Sequence, residues 1–340
     1  MSSLRQQIDG LVEDGSVTAA AAMLQQGSSR PEVAYGGSRL LDADAAVDAS
    51  TLFDLASLTK PLSATLALVL DQSDELPLAT RLGAVWPQTD SRVGAVTLED
   101  LLRHRAGMRR WMPLYAVCRD PQEVVEKLLG GDWFDVSGEV YSDLGFMLWA
   151  LTTERALGAT YRTLMERLVL DPLGGLRFAF GGDLEQVAEC ALPTGSEVEL
   201  AAAVGLQVEE MKPPERGEPQ DGNSRFLGGA CGHAGLFGTL PGLQAFADAY
   251  RSPGQLLSAE SLSRATGGGG RYGLGWFRAS ETAGGRAFGG AAFGHEGFVG
   301  SSLWFDPDND RVAILLAHRS GLAVDMGGAR ERLHQLLGDL

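Results

Sequence analysis

Residues 53–61 read Phe53-Asp54-Leu55-Ala56-Ser57-Leu58-Thr59-Lys60-Pro61. Ser57 and Lys60 are three residues apart, so in a helix their side chains share one face, about one turn apart. Pro61 supports a helix that starts near Ser57, because proline is tolerated only in a helix's first turn. A serine hydroxyl needs a partner that takes its proton, and the positive end of a helix stabilises a developing oxyanion. The stretch therefore predicts a nucleophilic serine with an amine beside it.

The same pattern also arises by chance, as a serine that caps a helix and a lysine that points into solvent. Two features weigh against this interpretation. The only lysines of the chain are Lys60, Lys127 and Lys212, so a lysine here is less easily explained as surface filler. The apolar run from Leu62 to Leu70 also indicates a buried helix. The four-residue motif alone leaves both interpretations open.

Composition limits the class of protein. The 340 residues suffice for one large or two ordinary domains, and the apolar and charged fractions, 44% and 21%, are those of a soluble globular protein. The longest apolar stretch, near residues 64–70, is too short to span a bilayer, and residues 1–7 have no apolar run behind them. We therefore expect a cytoplasmic protein, unless a leader was removed. Cys118, Cys190 and Cys231 are odd in number and widely spaced, which predicts reduced thiols.

Charge and missing motifs exclude several function classes. A net charge of −16 repels nucleic acid and anionic membranes, so neither is expected as a partner. Cys231 and His233 are too few for a zinc site, and we expect no metal and no cofactor. There is no Gly-x-Ser-x-Gly elbow of an α/β-hydrolase. Residues 268–273 match G-x-G-x-x-G, but they precede a predicted strand and so indicate a loop.

The order of predicted elements indicates an α/β (α+β) fold, in which an antiparallel sheet is flanked by an N-terminal and a C-terminal helix. Periodicity predicts helices over 4–13 and 328–337, and strands over 17–25, 33–35, 274–279, 298–305 and 312–317. The middle of the chain is mainly helical, and residues 181–232 read as loops around an opening. We predict a sheet domain from residues 1–65 and 252–340, a mainly helical domain from 66–251, and an active site at the seam.

Three further segments carry possible chemistry. Tyr141-Ser142-Asp143 precedes a predicted helix. A nearby ammonium lowers the pKa of a tyrosine, and Tyr141 could then act as a general base. Alone, the segment also fits a buried aromatic followed by a helix cap. Residues 294–297 are predicted to open a strand that ends at residues 304–305, with Phe298 supplying a backbone N–H to a cleft. Alone, they are a glycine turn with an exposed histidine. Residues 228–235 are so rich in glycine that their backbone must approach another group closely.

Together, Ser57-x-x-Lys60, Tyr141-Ser142-Asp143 and His295-Glu296-Gly297 resemble the S-x-x-K, Y-x-N and K-T-G or H-x-G series of the serine β-lactamase and penicillin-binding protein superfamily. The spacing resembles the class C branch, which also includes esterases and D-amino-acid peptidases. Residues 101–107, 232–237 and 272–276 resemble the same branch, so the similarity covers nearly the whole chain. The resemblance implies a class C β-lactamase-like fold.

The resemblance also implies a two-step reaction through an acyl-enzyme. Ser57 would attack, Tyr141 with Lys60 would move the proton, and the N–H groups of Ser57 and Phe298 would stabilise the oxyanion. His295 stands where the family has its second cationic group. His233, in the glycine-rich segment, is a further candidate for the substrate pocket.

Two departures from the family's series bear on mechanism and substrate. Asp143 replaces asparagine, and its carboxylate would hold Lys60 protonated while opposing a tyrosinate, which favours Lys60 as acid and Tyr141 as base over neutral Lys60 acting alone. His295 and Glu296 reduce the positive potential where substrate carboxylates bind in the family. We therefore predict small neutral ester or amide substrates and weak β-lactam turnover, with a substrate amine near Asp143 or Glu296. In the other interpretation Glu296 faces solvent.

Alternatives remain at this point. The protein could be a β-lactamase or a D-Ala-type carboxypeptidase or transpeptidase. It could also be a catalytically silent binding protein, with Asp143 and Glu296 as signs of lost activity. Hydrolysis and acyl transfer are not distinguished by the sequence, and neither is the oligomeric state.

Overall fold

A computed structural model describes residues 3–181, 185–190, 195–209, 212 and 214–338. The strands in these ranges are β1 Val17–Gln26, β2 Glu32–Gly37, β3 Phe53–Asp54, β4 Phe178–Phe180, β5 Leu236–Gly238, β6 Phe277–Arg278, β7 Phe293–Glu296, β8 Gly300–Asp306 and β9 Arg311–Arg319. Six of them form an antiparallel sheet in the order β2-β1-β9-β8-β7-β6, and three form a small sheet in the order β3-β5-β4.

The helices lie mostly between β2 and β6 in the sequence. They are α1 Leu4–Glu13, α2 Thr59–Gln72, α3 Leu82–Val85, α4 Ser91–Gly94, α5 Leu98–Leu102, α6 Leu114–Val117, α7 Pro121–Leu129, α8 Asp143–Leu157, α9 Tyr161–Met165, α10 Gly195–Ala203, α11 Gly222–Phe226, α12 Leu240–Arg251, α13 Ala259–Thr266 and α14 Met326–Gln335. The predicted fold class, an antiparallel sheet with flanking terminal helices, is confirmed. Within the described ranges, no helix combines the length and the apolar character that crossing a membrane requires.

The first and last helices pack against the same face of the large sheet. Their buried positions recur at helical spacing, and they share one apolar cluster with alternate residues of β1 and β9, namely Leu4, Ile8, Leu11, Ala20, Ala22, Leu24, Ala313, Leu315, Met326, Ala329 and Leu333. The other face of the sheet packs on the helical part through a larger cluster. Helix α2, which follows Ser57, belongs to that second cluster, so it is held in the interior.

Helix α2 is buried along most of its length, as the apolar run predicts. Ser57 lies in a single 3-10 turn, Ala56–Leu58, and the α-helix proper begins at Thr59. The predicted helix start is therefore two residues early. Pro61 falls in the first turn of α2, where its missing N–H costs no hydrogen bond.

Two strand predictions are corrected. Residues 294–305, predicted as one strand, form β7 and β8 with a turn between them, because Gly300 has a φ of +130°, a conformation that only glycine adopts readily. The strand predicted over 274–279 is reduced to β6. The predicted loop region 181–232 contains α10 and α11, and residues 182–184, 191–194, 210–211 and 213 of that prediction lie outside the described residues. Phe298, in the turn at 297–299, lines a cleft together with Ser57 and Tyr141.

Candidate active site

The side chains of Ser57, Lys60 and Tyr141 meet at one point. The Lys60 ammonium donates a hydrogen bond to Ser57 Oγ at 3.0 Å. The Tyr141 hydroxyl donates a second one to the same oxygen at 3.1 Å. The structure thus brings together the three residues that the motifs selected, from the turn before α2, from α2 itself and from the segment before α8.

Asp54 fixes the backbone on which Ser57 sits. Ala56 has a φ of +46°, a left-handed conformation that strains a residue with a Cβ by about 1–3 kcal/mol. The buried Asp54 carboxylate accepts hydrogen bonds from the N–H groups of Ala56 and Gln220, each at 2.8 Å. Burial raises the pKa of Asp54 to about 6, although both hydrogen bonds act in the opposite direction. The strained turn is therefore held by a carboxylate that is ionised at neutral pH.

Lys60 is fully buried but remains charged. Its Nζ lies 2.7 Å from the Asp143 carboxylate and donates to the backbone carbonyl of His233 at 3.3 Å. Burial alone would lower the pKa of Lys60, but the negative charge of Asp143 and the contact with Tyr141 raise it above its ordinary value. This agrees with the expectation that a carboxylate at position 143 holds Lys60 protonated.

Tyr141 differs from the expectation of a lowered pKa. Burial raises its pKa, and the Asp143 charge raises it further, so that together they outweigh the opposing effect of Lys60. The ring stacks on Phe277 at 5.4 Å and has the Arg110 guanidinium 5.4 Å from its centre. Ser142 caps α8 by accepting a hydrogen bond from the Gly145 N–H. The segment thus holds a partly buried aromatic before a helix cap, and that aromatic is also a neighbour of Ser57.

Ser57, Tyr141 and Asp143 line a cleft of about 970 Å³. Part of its wall is apolar and includes Leu200, Val204 and Phe298, whose exposed fractions of 39%, 43% and 39% are high for large apolar side chains. Exposed apolar surface inside a cleft indicates contact with an apolar part of a ligand.

His295 stands at the position of the family's second cationic group but carries no charge. Its side chain is buried, and burial together with the nearby Lys60 charge lowers its pKa well below the ordinary value. The imidazole stacks on Phe277 with ring centres 4.5 Å apart, and its Nδ1 lies 3.0 Å from the Glu296 carbonyl oxygen. A second positive charge beside Lys60 cannot be solvated there, so His295 is neutral, which agrees with the expectation that this residue reduces the positive potential of the site.

Glu296 forms a salt bridge that the sequence did not indicate. Its carboxylate lies 2.8 Å from Nη1 of Arg330, which comes from α14. Arg330 is itself buried and donates through Nη2 to the carbonyls of Gly297, Gly300 and Ser301. The interpretation in which Glu296 faces solvent is wrong, and its charge is neutralised by Arg330 instead of being free for a substrate amine.

We expect the substitution Glu296→Gln to lower the free energy of unfolding by about 3 kcal/mol, because it leaves the buried Arg330 without its counter-ion. Thermal or urea unfolding measures this effect. The matched control is Glu281→Gln, which removes another carboxylate of the cleft wall whose partner, Arg271, is exposed. The free energy of unfolding of Glu281→Gln is expected to fall by less than about 1 kcal/mol. Equal losses in the two variants would contradict a structural role specific to the Glu296–Arg330 pair.

Gly297 and Phe298 place a free backbone donor at the cleft. The Gly297 N–H donates to the Ser301 carbonyl at 2.7 Å, which closes the turn between β7 and β8. A Cβ at Gly297 would lie 3.0 Å from the Leu55 carbonyl oxygen, so the turn packs tightly against the segment before Ser57. The Phe298 N–H has no acceptor among the described residues, as an oxyanion donor requires before substrate binds.

His233 does not line the cleft, contrary to the prediction that it contributes to the substrate pocket. Its side chain is 1% exposed and lies between Asp221, at 2.9 Å from Nε2, and Cys231, at 3.2 Å from Nδ1. Its glycine-rich segment does approach other backbone closely, as expected, since a Cβ on Gly232 would clash with the Phe146 carbonyl oxygen. In the described part of the chain, no three His, Cys, Asp or Glu side chains are grouped as metal ligands.

Sequence reasoning missed Asp221, Arg330 and His104. Asp221 and Arg330 act through partners from other segments, so no spacing rule points to them. His104 accepts a hydrogen bond through Nδ1 from the Ser142 N–H at 3.0 Å, and its ring packs on Tyr141. Its φ of +58° is unusual for histidine, and such strain is visible only in a structure.

The chain is similar to known proteins along most of its length. The Beta-lactamase family profile matches residues 4–337. The chain is 25% identical over 320 residues to the "Putative D-alanyl-D-alanine carboxypeptidase" of Escherichia coli (strain K12), covering 84% of this chain and 73% of that protein. It is 24% identical over 346 residues to the N-acetylmuramyl-L-alanine amidase of Bacillus subtilis (strain 168), covering 91% and 76%.

Solved structures show the same fold. The D-amino acid amidase from Ochrobactrum anthropi SV3, in complex with D-phenylalanine, superposes with a TM-score of 0.74 at 17% identity, covering 99% of this chain and 98% of that one. The family profile spans nearly all of the described residues. The chain therefore belongs to the Beta-lactamase family of serine hydrolases.

Proposed function

We propose that the protein hydrolyses ester or amide bonds through an acyl-enzyme on Ser57. The observation that carries the proposal is the pair of hydrogen bonds at Ser57 Oγ, from Lys60 at 3.0 Å and from Tyr141 at 3.1 Å. The Phe298 N–H, which has no acceptor in the described part of the chain, supports it, because acyl transfer needs donors for the oxyanion. A binding protein without activity would have no need of an amine and a phenol aimed at one serine.

Proton transfer determines the mechanism. In the resting site Lys60 is protonated and Tyr141 carries its proton, so both donate to Ser57 and neither accepts. The reactive form is the one in which Tyr141 has lost its proton, with the Lys60 ammonium stabilising the phenolate. The phenolate takes the Ser57 proton as Oγ bonds to the substrate carbonyl carbon. The carbonyl electron pair moves to oxygen, where the N–H groups of Ser57 and Phe298 stabilise it.

Tyr141 passes on one proton in each half of the reaction. It donates the proton taken from Ser57 to the leaving oxygen or nitrogen as the carbon–heteroatom bond breaks, which completes the first half and leaves the acyl group on Ser57. Tyr141, again a phenolate, takes a proton from water as the water oxygen attacks the acyl carbon. The proton then returns to Ser57 as the acid product leaves. One side chain serves as base and acid in both halves, as microscopic reversibility requires.

The charge states of His295 and Glu296 support a preference for neutral substrates. His295 is uncharged and Glu296 is neutralised by Arg330, so positions 295 and 296 supply no net positive charge for a substrate carboxylate there. We therefore propose weak β-lactam turnover. The exposed apolar side chains of Leu200, Val204 and Phe298 favour substrates with an apolar substituent.

A second candidate is hydrolysis of D-amino-acid amides or peptides. It is favoured by the similarity to proteins described as a D-alanyl-D-alanine carboxypeptidase and a D-amino acid amidase. The chemistry at Ser57 would be the same, and only the group beside the scissile bond would differ.

The test is intact-protein mass spectrometry of the wild type and Ser57→Ala after exposure to a fluorophosphonate, p-nitrophenyl butyrate, D-phenylalanine amide and benzylpenicillin. Turnover of the ester, the amide and the penicillin is followed in parallel. We expect labelling and ester turnover in the wild type alone, with penicillin the slowest substrate. Faster turnover of penicillin than of the ester would contradict the substrate proposal, and faster turnover of the amide would favour the second candidate. The absence of any adduct on the wild type would contradict the acyl-enzyme itself.

A further inference from the structure

The catalytic lysine has a third contact besides Ser57 and Asp143. Its Nζ donates to the backbone carbonyl of His233 at 3.3 Å. The neighbouring carbonyl, that of Gly232, accepts a hydrogen bond from Ser63, one turn further along α2, at 2.6 Å. Two successive carbonyls of the glycine-rich segment therefore accept hydrogen bonds from the buried face of α2.

The side chain of His233 ties this segment to the cleft wall. Its Nε2 lies 2.9 Å from Asp221 Oδ1, and its Nδ1 lies 3.2 Å from Cys231 Sγ. Asp221 also caps α11 by accepting a hydrogen bond from the Ser224 N–H at 2.7 Å. Burial alone would lower the pKa of His233, but the neighbouring Cys231 and Asp221 raise it to about 10.

The segment that carries Asp221 is also connected to the nucleophile. Gln220 donates its N–H to Asp54, and Asp54 in turn holds the strained Ala56 beside Ser57. Residues 220–221 are thus connected to the Ser57 turn through the buried side chain of Asp54. They are connected to Lys60 through His233. None of these connecting groups has a role in the proton transfers described above.

We infer that Asp221 and His233 are positioning residues, which hold the His233 carbonyl against Lys60 and so keep its ammonium at hydrogen-bond distance from Ser57. The inference rests on the proposed function, since it assigns a task within the same site. The imidazole cannot serve as a proton donor to substrate, because it is buried and lies outside the cleft lining. Its effect must pass through the backbone that it orients.

The principal variant is His233→Gln, because His233 does not touch the cleft and its loss should leave substrate binding intact. Displacement of a catalytic group by about 1 Å costs about 100-fold in rate. We expect kcat for p-nitrophenyl butyrate to fall by about tenfold or more, with KM unchanged. Values of kcat are calculated per site titrated by the fluorophosphonate, so that unfolded protein does not contribute.

His334→Gln is the matched control. Like His233, His334 is 1% exposed, and its Nδ1 lies 2.7 Å from the backbone carbonyl oxygen of Gly284. It does not contact Ser57, Lys60 or Tyr141. A stability loss with unchanged kcat per titrated site is expected. Asp221→Asn, which removes the charge but keeps the shape of the side chain, should lower kcat in the same direction as His233→Gln.

Unchanged kcat in His233→Gln, or an equal fall in His334→Gln, would overturn the inference. If His233→Gln does not fold, Asp221→Asn decides by the same criterion. Turnover and labelling by the wild type separate the two proposals. An active wild type with an unaffected His233→Gln contradicts only the positioning role, whereas an inactive wild type contradicts the acyl-enzyme and this inference together.

Discussion

Lys60→Met is expected to lower kcat/KM for an aryl ester by about 10³-fold. The ammonium donates to Ser57 at 3.0 Å and is the one cation in contact with both Ser57 and Asp143 among the described residues. Without it, the phenolate of Tyr141 would form beside the Asp143 carboxylate with no compensating charge, so the base would be lost at neutral pH. Methionine has a similar length and suits a buried site, so the fold should persist.

The measurement is kcat/KM together with the rate of fluorophosphonate labelling, and both should fall in parallel. Circular dichroism and the melting temperature establish that the variant is folded. The control is Lys127→Met, which removes a partly exposed lysine paired with Glu123 on α7 and should leave both rates unchanged. Activity of Lys60→Met near that of the wild type would show that Tyr141 acts without the ammonium, and would remove Lys60 from the mechanism.

The sequence predicted the positions of the catalytic residues better than their charges. The Ser57–Lys60 contact follows from helix geometry, because residues three apart share a face. The meeting with Tyr141 came from the order of three motifs that resembles a known family. The strands were predictable from apolar runs bounded by turn residues, and the terminal helices from their apolar spacing. These features depend on local pattern or on a resemblance that covers most of the chain.

Protonation and pairing could not be predicted in the same way. The charge of His295 is decided by burial under Phe277 and by the nearby Lys60, which are contributions from two other segments. Glu296 is neutralised by Arg330, which follows it by 34 residues. Similarly, His233 was selected as a pocket residue, although the structure directs its ring towards Asp221 and away from the cleft. Long-range contacts of this kind leave no periodic signal in one sequence.

Asp143 provides the sharpest test of how the proton is handled. Its carboxylate lies 2.7 Å from Lys60 Nζ and raises the pKa values of both Lys60 and Tyr141. A base with a raised pKa is protonated over a wider pH range, so the activity of the wild type should increase with pH well into the alkaline range. The wild type is therefore predicted to be a poor catalyst in weakly acidic solution.

Asp143→Asn should move the acid limb of the pH profile of kcat/KM to lower pH by about one unit or more. Removing the negative charge lowers the pKa of Tyr141, because a phenolate is no longer opposed, and lowers that of Lys60, because its ammonium loses a counter-ion. Either residue as base then becomes available at lower pH, so the sign of the shift does not depend on which one accepts the proton. The control is Asp135→Asn, which alters an exposed pair with Arg109 and should leave the limb in place. A shift to higher pH, or loss of activity at every pH, would instead show that the Asp143 carboxylate takes part in proton transfer itself.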